Sequence, residues 1–253
     1  MKFRTMMLSL LTLALVTIPA RAEDPTDYPS RKIRMLLPFA AGGGGDVIGR
    51  LLADKMGKRL GQTIFIENRT GAAGTIGTQQ AATSPPDGYT ITIGGMTTHV
   101  LAPVSYASLP YDAIKDFTTI GRIGTSSILL VATNDFAAND LRGLTEMSKK
   151  GDPILYGSWG VGSTGHFCGE ILSQKAGVRL QHVPFSGAAK LANDLMGGHI
   201  SVGLVDMATG TPLVKDGKLK ALAVCGGRSP SLPDVASYKD QGVDFEQIGR
   251  AHV

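Results

Sequence analysis

The sequence predicts an α/β fold in two lobes, and three observations carry that prediction. Short apolar runs alternate with segments whose apolar residues recur at helical spacing. The first five elements read βαβαβ, the unit of a parallel sheet with helices on its faces. The pattern strand, small-residue loop, helix then occurs twice, in "LLPFAAGGGGDVIGRLL" and in "LYGSWGVGSTGHFCGEIL". Two such units facing each other would set two helix N-termini around one cleft.

The elements follow in order. "IRML", Ile33 to Leu36, reads as a strand. The next segment has Val47, Ile48, Leu51, Leu52, Met56 and Leu60 on a helical stripe, with Asp46 as N-cap and Gly61 as stop. "TIFIE" is a second strand, "GTIGTQQAA" a short helix, "SPPDG" a turn and "YTITIGG" a third strand. Residues 97–123 carry proline and tyrosine without a clear period and read as a connection with short helices. The first lobe thus covers residues 23–124, with its boundary near Gly124. In the second lobe, residues 125–240, "SSILLVA", "ILYGS", "RLQHVPF", "ISVGLVD" and "LKALAVCG" are strands. "DLRGLTEMSKK", "TGHFCGEILSQKAG" and "SGAAKLANDLMGGH" are helices, the last capped by Ser186 and stopped at Gly197-Gly198.

The N-terminus stands apart from this pattern. Lys2 and Arg4 precede an apolar run from Met6 to Val16, which Ala20-Arg21-Ala22 closes. That is the layout of a secretory signal cut after Ala22. The run is too short for a membrane span, which needs about 20 residues. The expected mature protein is exported and soluble. The formal charge is +4, and the leader holds three of the basic residues, so the remainder is nearly neutral. The basic pI of 9.1 therefore gives no case for nucleic acid. Export permits a disulfide between Cys168 and Cys225, the only cysteines. They read more simply as two small buried thiols, one on a helix and one at a strand end.

The four glycines after Pro38-Phe39-Ala40-Ala41 fail the nucleotide patterns. A P-loop ends in Gly-Lys-Ser/Thr, and here Asp46-Val47 follows. The dinucleotide pattern would need glycine at Val47 or Ile48. What remains is a set of amides at a helix start, which suits a carboxylate, or a tight turn that serves helix packing alone. Asp46 would repel a carboxylate if it faced the cleft. As an N-cap it would bond its own helix.

Ser163 invites a hydrolase reading, but Val161 stands where the nucleophile elbow needs glycine. Ser163 and Thr164 fit better as donors to a carboxylate or as helix caps. The five histidines show no metal-ligand spacing, and no cofactor is expected. Asp206 closes a strand, where ligand sites of α/β proteins collect. Trp159, in the small-residue loop, reads equally as a cleft wall or as surface packing.

With these residues in view the chain resembles the Bug family, the TctC-like extracytoplasmic solute receptors of tripartite tricarboxylate transporters. The likeness runs from Tyr28 to Gln247 and rests on the Pro-Phe, Ala-Gly-Gly, Asp signature, the "PDGYT" turn, "YGSWGVGSTGH" and "HVPFSGAAKLANDLMGGHISVGLVD". The resemblance implies a two-lobed periplasmic-binding-protein fold of type II that closes on a carboxylate. It implies ligand contacts from Phe39, Ala40, Gly42, Gly43 and Asp46, from Thr97 and Thr98, and from Ser158, Ser163, Thr164, His166 and Asp206. Di- or tricarboxylates, aromatic acids and acidic amino acids are the expected ligands. Integral membrane transporter subunits are the expected partners of a monomeric receptor. The competing reading is an exported α/β hydrolase-like enzyme using Ser163 and His166.

Two departures from the family accompany the likeness. Gly44 and Gly45 stand where hydroxyl residues are common. Family members also continue past Gln247 to return to the first lobe, so residues 241–253 read as the start of that return. The last six residues, "IGRAHV", match a reading frame of a common sequencing adapter and are expected to be artefactual. Without the return, the first lobe is expected to expose apolar surface.

Overall fold

A computed structural model describes residues 26–245. The leader, its cut after Ala22 and the "IGRAHV" tail lie outside the described residues. The first sheet is built from β1 (Ile33–Leu37), β2 (Ile64–Asn68) and β3 (Thr90–Thr92), in the order β2-β1-β3. All three strands are parallel, with Ile33 opposite Ile64 and Met35 opposite Ile91. The crossovers are α1 (Gly44–Leu60) and α2 (Thr75–Ala82), the latter preceded by a 3₁₀ turn at Ala72–Gly74. The central strand is buried at nearly every position, as a covered parallel strand must be. Ile33, Met35, Leu37, Ala53, Ile64, Tyr89 and Ile93 form this lobe's core.

A π-helical turn, Met96–Leu101, runs into the single turn α3 (Ala102–Ser105). From α3 onward the first lobe leaves large apolar side chains in solvent, Val104 at 81% and Ile114 at 83% exposure.

The second sheet comprises β4 (Ile128–Ala132), β5 (Ile154–Ser158), β6 (Leu180–Pro184), β7 (Val202–Asp206) and β8 (Lys220–Cys225), in the order β6-β5-β7-β4-β8. β5 runs parallel to β6 and β7, while β4 lies antiparallel between β7 and β8. Every residue of β4 is buried, because helices cover both faces. Those helices are α4 (Leu141–Lys150), α5 (Thr164–Ala176), α6 (Ala188–Met196) and α7 (Met207–Lys215). Leu144, Tyr156 and Leu172 pack on one face, and Leu129, Leu191 and Leu195 on the other.

Four local expectations are corrected. α1 starts three residues early, because extended Gly43 rather than Asp46 serves as its cap, and Asp46 is therefore the third helical residue. α6 is capped by Gly187 rather than Ser186. α7 lies between two strands that the sequence seemed to join directly. Pro212 and Gly210 mask its pattern, while Asp206 caps it through the Thr209 N–H. Finally, Cys168 and Cys225 are not free thiols but a disulfide, with both residues fully buried. The middle of α5 lies over the end of β8, and that packing brings together two sulfurs 57 residues apart.

Candidate functional site

The parallel strands of both sheets end at one cleft of about 770 Å³. The first lobe contributes Pro38–Ala40 with Gly43–Gly45, the turn at Gly71–Gly74, and Gly94–Thr97. The second contributes Trp159–Val161, Thr164, Phe185–Ala188 and Asp206. This is where α/β proteins collect ligands, beyond the carboxyl ends of parallel strands. The starts of α1, α2, α5, α6 and α7 all reach it, so several positive helix ends converge there. The walls are largely apolar, with Phe39, Ile48, Leu52, Met96, Trp159 and Phe185. Among the described residues no lysine, arginine or histidine lines the cleft, and Asp206 is the one carboxylate that does.

The lobes touch across it. The Thr97 and Thr164 hydroxyls lie 2.8 Å apart, and the Thr164 N–H donates to Thr97 Oγ1 at 3.1 Å. A Cβ added at Gly44 would fall 1.9 Å from Asp206 Oδ1, and one at Gly187 would fall 2.5 Å from Ala40 Cβ. Only glycine admits these approaches.

Asp46 stays out of the cleft. Its carboxylate accepts from the Gly42 N–H at 3.0 Å, from Arg50 Nε at 2.9 Å and from Asn68 Nδ2 at 2.9 Å. Burial would raise its pKa, but the bonds from Arg50, Gly42 and Asn68 and the Arg50 charge outweigh that and hold the carboxyl below its ordinary range. Asn68 also donates to the Phe39 carbonyl at 3.0 Å, so Asp46 and Asn68 together fix the glycine loop. The Gly42 N–H is spent on Asp46 and does not reach the cleft.

Thr98 is likewise internal. Its hydroxyl accepts from the Gly95 N–H at 3.2 Å and lies 2.9 Å from His99 Nδ1. In the second lobe Ser163 caps α5 by accepting from the His166 N–H at 3.2 Å. Ser158 Oγ lies 3.1 Å from Ser163 Oγ and 2.7 Å from His182 Nε2. His166 Nδ1 accepts from the Gly162 N–H at 3.1 Å, and its ring lies 4.1 Å from that of His182. Burial, with the neighbouring His166, pushes His182 down to about 4. Ser158, Ser163 and His166 thus brace the loop from behind. The hydrolase reading finds no support here, because the Ser163 hydroxyl caps a helix and His166 Nδ1 holds a peptide N–H.

Of the residues expected at the site, Phe39, Ala40, Gly43, Thr97, Thr164 and Asp206 line the cleft. Gly42, Asp46, Thr98, Ser158, Ser163 and His166 do not. Trp159 is a cleft wall. Sequence reasoning missed the turn at Ala72–Ala73, whose φ angles of 45° and 51° are left-handed without glycine. Such strain is held where the surroundings over-determine it; here the Tyr106 hydroxyl donates to the Ala72 carbonyl at 3.1 Å. The flanking Gly71 and Gly74 were the only signal.

The profile of the tripartite tricarboxylate transporter family receptor matches residues 48–250. The structure of the periplasmic binding protein BugD is similar, at 35% identity and a TM-score of 0.83, over 89% of this chain and 76% of that one. MatC from Rhodopseudomonas palustris with bound malate matches at 30% identity and 0.83, over 89% and 77%. A second R. palustris protein, with adipate, matches at 29% and 0.84, over 90% and 77%. The architecture is thus the two-lobed fold of periplasmic binding proteins. By the reach of the profile and these likenesses, the chain belongs to the tripartite tricarboxylate transporter receptor family.

Proposed function

We propose that this protein is an exported receptor that holds a small carboxylate between its lobes and presents it to a membrane transporter, performing no chemistry on it. One observation supports this above the others: among the described residues no basic side chain lines a cleft ringed by helix starts and closed by two lobes. An acid bound there is held by peptide N–H groups and hydroxyls. Each helix start favours a nearby anion by about 0.3–1 kcal/mol, and by up to about 2 kcal/mol when partly buried. The family is one of receptors, and its members are periplasmic binding proteins. The malate and adipate of the two R. palustris relatives point to small flexible acids.

In this reading the leader is cut after Ala22, residues 23–124 and 125–240 form the lobes, and the receptor acts as a monomer with integral membrane subunits as partners. Phe39, Ala40, Gly43, Thr97, Thr164 and Asp206 face the ligand. Gly42, Asp46, Thr98, Ser158, Ser163 and His166 hold the loops that do so. The test is a thermal-melting screen against di- and tricarboxylates, aromatic acids and acidic amino acids, followed by analysis of the recovered ligand. A melting shift with the acid returned intact is the expected result. Conversion of an ester or acid to product, or no shift with any acid, would overturn the reading.

A further inference from the structure

Two unspent hydrogen-bonding capacities of opposite kind face the cleft. The first is at Thr97 and Thr164, which are 6% and 5% exposed. Their hydroxyls are bonded to each other, and Thr97 Oγ1 also accepts from the Thr164 N–H. Two hydroxyls carry two protons, and one bond between them uses one. Whichever hydroxyl donates to the other, one O–H is left pointing at no acceptor among the described residues. A buried donor of that kind calls for an acceptor in the cleft.

The second is Asp206. Its carboxylate accepts from the Thr209 N–H and the Thr209 hydroxyl, both at 2.9 Å. A carboxylate has about four acceptor sites, so about two remain. Among the described residues no cation lies within ion-pair distance of it. It also lies against Gly44 at the start of α1 while it caps α7. The positive ends of those two helices therefore already face a carboxylate, and a ligand's acid group gains least beside them.

We propose that the cleft selects organic acids that also carry a hydroxyl or ammonium group, with the carboxylate seated at Thr97 and Thr164 and the donor on Asp206. This rests on the receptor reading above and narrows its substrate class. Asp206 is a specificity residue: a ligand lacking the donor leaves its carboxylate dehydrated without a partner, which binding sites punish more than a missing methylene.

The test uses the full chain and two matched pairs in calorimetric titrations: malate against succinate, and 2-aminoadipate against adipate. In at least one pair the donor-bearing acid is expected to bind roughly ten- to a hundredfold more tightly. In Asp206→Asn, which keeps a good helix cap, the donor-bearing acid of that pair loses its advantage while its partner acid changes less than about twofold. Asp206→Ser, another good cap, replaces it if the first variant melts early. Equal binding within both pairs, or an equal loss for both members in the variant, overturns the proposal and leaves the receptor reading intact. No heat from any of the four acids also overturns it, and the receptor reading then stands or falls on the wider screen.

Discussion

Replacing Gly44 with alanine separates lobe closure from lobe stability. The added Cβ would lie 1.9 Å from Asp206 Oδ1, 2.7 Å from its Cγ and 3.0 Å from Ala208 Cβ. Asp206 cannot swing aside without giving up the two bonds from Thr209. Overpacking of this kind costs about 1–3 kcal/mol, and here it falls only on the closed state, since Asp206 belongs to the opposite lobe. The ligand's affinity should drop about five- to 150-fold. Gly44 is the first residue of α1 and has no positive φ. Alanine there loses less backbone entropy on folding than glycine, so the ligand-free protein should melt at the same temperature or slightly higher. Calorimetric titration with the tightest-binding acid, beside ligand-free melting curves, measures both. Affinity within twofold of the parent would refute the claim that Gly44 and Asp206 set the closed geometry.

Three further outcomes are expected. His182 is pushed down to about 4 by burial and by His166, whereas an unfolded histidine titrates near about 6.5. Between those values only the unfolded chain takes up the proton, so stability falls as pH drops from about 6.5 to about 4. His182→Gln should remove a slope worth on the order of 1–2 kcal/mol, after discounting for solvent screening; urea titrations at both ends that show parallel slopes would contradict this. Replacing Cys168 and Cys225 together by alanine should cost about 2–4 kcal/mol, read as a lower thermal midpoint, and an unchanged midpoint would count against a stabilising bridge. Thr97→Val removes the acceptor of the Thr164 N–H and the hydroxyl that orients the Thr164 hydroxyl, and should weaken acid binding by about ten- to a hundredfold. Thr97→Ser should restore most of it, and equal affinities across the three proteins would exclude a role for the hydroxyl.

The order of elements was legible because it rests on local pattern. β1, α1 and β2 lie within three residues of where periodicity put them. The exceptions have local causes. Gly43 can take the extended cap conformation without help, which freed Asp46 to reach back to Gly42. Pro212 and Gly210 thinned the signal of α7. The cleft lining was legible only where a strand end and a helix start coincide, as at Phe39, Ala40, Gly43, Thr97, Thr164 and Asp206. Ser163 and His166 looked chemical because of their residue types, yet their polar atoms turn inward to cap and brace. Which way a side chain turns depends on the lobe around it, and so does the meeting of Cys168 with Cys225. Ala72 and Ala73 carry no side-chain chemistry to read.

In the receptor reading, the cleft's attraction for anions comes from helix starts, and these belong to the main chain. No codon change deletes a peptide N–H, short of proline, so point mutation can scarcely erase that attraction. The apolar walls and the single carboxylate are open to drift. A lineage built on this plan can exchange one nutrient for another by altering a few wall positions, while inheriting its grip on acids unchanged.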